Sequence, residues 1–100
     1  MNTHTYNQHI EQLNEIPLEM QRILHEIREK DKRLLQLTLE IDSNREYLLE
    51  RLAKANNNLT NKDKLKLKQT LEEIERLEHI QIEVSKEKII LAEDLYNFID

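Results

Sequence analysis

Residues 55–63 read Ala55-Asn56-Asn57-Asn58-Leu59-Thr60-Asn61-Lys62-Asp63. Asparagine tolerates the left-handed backbone that ends a helix, so this run stops the helix before it. Thr60-x-x-Asp63 has the form of a capping box, in which hydroxyl and acid each satisfy the other residue's free amide. A second helix therefore starts at about residue 61. Two helices separated by so short a break lie antiparallel, as a helical hairpin.

The arms read outward from this break. Between Pro17 and Asn56, Met20, Leu24, Ile27, Asp31, Leu34, Thr38, Ile41, Arg45, Leu48 and Leu52 follow at alternating spacings of four and three. The second arm gives Leu67, Thr70, Ile74, Leu77, Gln81, Val84, Lys88, Leu91, Leu95 and Phe98. Both are heptad seams of the kind that supercoil. At ~1.5 Å per residue each arm is roughly 60 Å long, so the two match. Folding about residue 59 sets Asp31 opposite Lys88 and Thr38 opposite Gln81. Arg45 faces Ile74 and is expected to snorkel toward Glu73 or Glu78. Polar pairs of this kind penalise wrong registers more than they stabilise the right one.

Pro17 is the other strong punctuation. It suits the start of a helix, where its missing N–H costs nothing, and it pushes Ile16 out of the helical region. Before it, Thr5-x-x-Gln8 has capping-box form, and Tyr6, Ile10 and Leu13 follow at helical spacing. The expected elements are helices over about residues 5–15, 17–56 and 61–99 of a single all-α domain. The short first helix is expected to fold back on Leu95, Phe98 and Ile99 at the open end.

A hairpin needs one apolar stripe per helix, and this chain has more. Ile23, Leu35, Leu37 and Leu49 flank the first seam; Leu71, Ile80, Ile82, Ile89, Ile90 and Ile99 flank the second. A wider stripe faces a further neighbour. The expectation is that two hairpins associate into a four-helix core through these residues.

Composition agrees. The 100 residues contain no glycine, cysteine or tryptophan and one proline, with 35% charged and 4% aromatic residues. Without glycine, β-hairpins and phosphate-cradling loops are disfavoured. Without cysteine there is no disulfide and no thiolate metal site. The net charge of −5 argues against direct nucleic-acid binding. The N-terminus lacks the form of a signal peptide, and no apolar run reaches membrane-spanning length. A soluble intracellular protein is expected.

Catalytic patterns are missing. A di-metal carboxylate bundle uses Glu-x-x-His, but His4, His9, His25 and His79 follow Met1, Tyr6, Arg22 and Arg76 at that spacing. No histidine pair stands four residues apart. Ser43 and Ser85 have no glycine-flanked elbow. Lys62, Lys64, Lys66 and Lys68, interrupted by Asp63, form the one basic cluster. Their alternate spacing spreads them around the axis, which reads as solvated surface. No cofactor or metal is expected.

Three blocks carry more than periodicity. The first is Tyr6-x-x-x-Ile10-x-x-Leu13-x-x-Ile16-Pro17-Leu18-Glu19-Met20-Gln21-Arg22, then Ile27-Arg28-Glu29-x-Asp31. It resembles the opening of the inhibitor-of-growth family of chromatin proteins. Thr60-Asn61-Lys62-Asp63-Lys64-Leu65 resembles that family's acid-rich loop before a lysine-leucine. Residues 88–100, with Leu91, Tyr96 and Phe98, resemble its closing helix. The family's glycine before this helix is replaced by the Glu83-Val84-Ser85 region. The resemblance implies a nuclear, non-catalytic helical module that dimerises and joins a histone-tail reader to acetyltransferase or deacetylase complexes. Its partners would be complex subunits and histones. The family's reader is a zinc-binding PHD finger made of Cys and His, and these 100 residues contain no cysteine. Heptads alone fit equally a generic coiled-coil tether or a trafficking-complex bundle helix. The Tyr6-to-Arg22 block separates the two readings.

Overall fold

The computed structural model describes residues 16–99. The expected helix over residues 5–15, with Tyr6, Ile10 and Leu13, and its docking on the open end lie outside the described residues. Within them the chain forms two long helices, α1 (Leu18–Ala55) and α2 (Asn61–Ile99), packed as a hairpin. The longest dimension is 65 Å and the radius of gyration 21.5 Å, against roughly 13 Å for a compact domain of this size.

Each helix end has a local cause. Pro17 stands just outside α1 with φ −50° and ψ 142°, and its carbonyl accepts the Gln21 amide at 3.1 Å. The Gln21 side chain donates to the Ile16 carbonyl at 2.7 Å. Helix α1 ends because Asn56 and Asn57 take left-handed φ values of 47° and 69°. The Asn58 amide then returns to the Ala55 carbonyl at 2.7 Å. Helix α2 starts in a reciprocal box: the Asp63 amide donates to the Thr60 hydroxyl at 3.1 Å, and the Thr60 amide to the Asp63 carboxylate at 3.2 Å.

The core is one seam. Leu37, Ile41, Ile74, Leu77 and Val84 form its centre, with Leu34, Leu48 and Ile80 packed against them. Ile23 and Leu67 extend it toward the two ends. On α2 the interior positions are those the spacing gives, from Leu67 through Leu95; Phe98 is largely exposed.

On α1 the seam is rotated from the expected one. Met20, Ile27, Leu34, Ile41 and Leu48 do face inward, but the positions between them are Ile23, Lys30, Leu37 and Asn44. Leu24, Asp31, Thr38, Arg45 and Leu52, one residue further on, lie exposed along the rim. The residues three and four after a seam position both lie near the same face, so spacing permits either. Burial free energy selects between them. Leu37 at 0% exposure replaces Thr38, and the charges of Asp31 and Arg45 stay in water. Lys30 is half-buried and sends its ammonium out to Glu87 at 2.6 Å. Among the described residues no polar or charged side chain is fully buried.

Candidate association surface

Five polar contacts cross the hairpin, at four levels. Arg51 reaches Asp63 at 2.6 Å beside the loop, and Arg45 reaches Glu78 at 3.4 Å. Gln81 donates to the Thr38 hydroxyl at 2.9 Å, which itself donates to the Leu34 carbonyl at 3.0 Å. Lys88 meets Asp31 at 2.5 Å, and Lys30 meets Glu87. All lie on the rim, where each ion pair contributes about 0–1 kcal/mol. They set the two helices level with each other without closing off water.

The residues expected at an association interface divide into three groups. Ile23 and Leu37 are corrected: at 1% and 0% exposure they fill the hairpin's own seam and offer nothing to a second chain. Ile80 is half-buried against the core. Leu35, Leu49, Leu71, Ile82, Ile89, Ile90 and Ile99 are exposed; Leu49 keeps 68% of its surface. Leu39 and Leu65, which neither seam uses, are also exposed.

The exposed residues are not scattered. Leu35 and Leu49 stand two heptads apart on α1, and Ile82 and Ile89 one heptad apart on α2, so each pair repeats along its helix. Leu71 stands seven residues before Glu78, which touches Arg45, and Leu49 stands four after Arg45. Helical periodicity thus puts Leu35, Leu49, Leu71, Ile82 and Ile89 on one flank of the hairpin. A shallow depression lined by Leu34, Gln81, Ile82, Ser85, Lys86 and Ile89 lies along it. The opposite flank carries Tyr47 with Lys66 5.5 Å from its ring, and the Arg51–Asp63 pair.

The signature residues gather at the open end. Arg22 forks between Glu19 and Glu26 one turn to either side, and its hydrogen bond to Glu19 holds that carboxyl below the usual range. Met20 and Leu91 are half-buried; Tyr96 and Phe98 are exposed. Glu19, Ile23, Asp94, Asn97 and Phe98 line an open cleft between the two helix ends.

His25 and His79 are exposed, and among the described residues no group of three or more His, Cys, Asp or Glu could hold a metal ion. No described helix is long and apolar enough to cross a membrane. The described residues form a slender, all-helical hairpin with an exposed apolar flank and a polar rim. The family model for inhibitor of growth proteins, N-terminal histone-binding, matches residues 6–100, and the chain belongs to this family of chromatin regulators. No curated protein and no solved structure matches the chain.

Proposed function

We propose that this chain is a non-catalytic assembly subunit of a nuclear histone-modifying complex, and that it works as a dimer. The observation that carries the reading is the exposed row of Leu35, Leu49, Leu71, Ile82 and Ile89 on one flank. A two-helix hairpin leaves this row in water, and a second hairpin laid against it completes a four-helix core. The self-association surface is thus distinct from the seam that folds the hairpin. The whole of residues 1–100 acts as one domain. Asp31–Lys88 and Thr38–Gln81 hold its register, and Met20 and Leu91 pack at its open end.

The histone-binding description of the family supports histones as partners. Their basic tails suit a hairpin whose body is acidic: Glu40, Glu46, Glu50, Glu72 and Glu75 are exposed and carry no ion pair. The test is affinity purification of the chain from its native cell. Acetyltransferase or deacetylase subunits should co-elute. Membrane-tethering or trafficking proteins in their place would overturn the reading.

A further inference from the structure

Net charge conceals a separation of charge. Residues 51–68 carry six cations, Arg51, Lys54, Lys62, Lys64, Lys66 and Lys68, against Asp63 alone, a net of +5, so the rest of the chain carries −10. The hairpin brings these residues together at its closed tip, from the last turn of α1 and the first two turns of α2. Elsewhere most cations are matched: Arg22, Lys30, Lys32, Arg45, Arg76, Lys86 and Lys88 all form ion pairs. At the tip only Arg51 does.

The lysines of α2 split between the flanks, and α1 supplies what completes one side. Tyr47, Arg51, Lys62, Asp63 and Lys66 line one depression. Arg51, Lys54, Asn56, Asn58 and Asp63 line the next, so the two adjoin through the Arg51–Asp63 pair. The result is a short basic groove on the flank opposite the exposed leucines. We infer that this groove binds the phosphate backbone of double-stranded DNA, without reading its sequence.

Three features favour phosphates over an acidic peptide. The cations without an ion pair are lysines, which act on phosphate as point charges, whereas the one arginine fork, suited to a carboxylate, already holds Asp63. Asn56, Asn58 and the N-terminus of α2 add neutral donors, a mixture common at DNA backbones. The lining also lacks the exposed leucines that an amphipathic acidic segment would need. Base readout is excluded on size, since two helices side by side exceed a major groove of about 12 Å. The whole-chain charge of −5 averages this basic tip with the acidic body. Screening over about 8 Å at physiological salt lets the tip act apart from an acidic body extending tens of ångströms beyond it.

This inference rests on the chromatin reading only for the source of the polyanion. Self-association and complex membership are measured separately and survive its failure. The experiment is fluorescence anisotropy of a labelled 24-base-pair duplex with the full chain at several salt concentrations. Three lysines predict a slope of log K against log salt near −2.7, a loss of about twentyfold between 50 and 150 mM. Lys54→Gln/Lys62→Gln/Lys66→Gln should bind at least tenfold more weakly, and the three arginine replacements should retain binding. Arg28→Gln/Arg33→Gln, which removes the two unpaired cations of the body, should bind as the wild type does. Circular dichroism confirms that each variant is helical. Equal affinity of the glutamine variant, a flat salt dependence, or tighter binding of polyglutamate than of duplex would each overturn the inference, the last in favour of an acidic protein partner.

Discussion

Lys88 Nζ lies 2.5 Å from Asp31 Oδ1, and one heptad away on both helices Gln81 donates to Thr38 at 2.9 Å. The two contacts share one register, with α1 and α2 paired level at both. A slip of a heptad would set Asp31 beside Gln81 or Leu95 and leave Lys88 without its acid. The pair lies on the rim, so its contribution is to register rather than to stability.

Asp31→Leu/Lys88→Leu should therefore change hairpin stability by no more than about 1 kcal/mol in urea unfolding. Cysteines placed at Thr38 and Gln81 should still cross-link in that background, though with more cross-linking at positions a heptad away. A loss of several kcal/mol would show that the pair supports the fold itself.

The rotation of the α1 seam has its own test. Leu37→Ala removes a side chain with 0% exposure and should cost about 2–4 kcal/mol. Thr38→Ala, on the rim, should cost about 1 kcal/mol or less. Equal losses, or a larger loss at Thr38, would restore the unrotated seam.

Asp63 links loop, cap and opposite helix. The Arg51 guanidinium, then the Thr60 amide and hydroxyl, hold its carboxyl down at about 2. Its ordinary value in an unfolded chain is about 3.9. A folded value below the unfolded one means that the contribution is complete above about pH 4 and is lost as pH falls toward 2. Melting temperatures of wild type and Asp63→Asn should differ most above pH 4 and converge near pH 2. A constant difference across that range would contradict the assignment.

Thr60→Ala leaves the Asp63 amide without its acceptor and should cost about 0.5–2 kcal/mol. Hydrogen exchange should show the first turn of α2 opening, while the Leu37–Leu77 centre stays protected.

The sequence made α2 easier to read than α1, and the reason lies in neighbouring residues. On α1 the two possible seams share Met20, Ile27, Leu34, Ile41 and Leu48, and the doublet Ile23-Leu24 puts two apolar side chains about 100° apart, so spacing fits two rotations equally. Only Leu37 beside Thr38 tells them apart, and it does so through burial rather than period. On α2, Leu67, Ile74 and Leu77 have a charged residue directly before them, and one rotation is left. The asparagine turn and the Thr60–Asp63 box were legible because their chemistry is local. The basic groove was not, because Tyr47, Arg51 and Lys54 join Lys62 and Lys66 only once the chain has folded back.

Dimerisation through the apolar flank is the centre of the account, and sedimentation equilibrium at micromolar concentration tests it most directly. The wild-type chain should show about twice its 12.1 kDa mass. Leu49→Glu or Ile82→Glu should return it to a helical monomer, because each would bury an unpaired charge in the dimer and nothing in the hairpin. Ile80→Glu should instead damage the hairpin, since Ile80 packs against its core. A folded wild-type monomer of 12.1 kDa at that concentration would contradict the account.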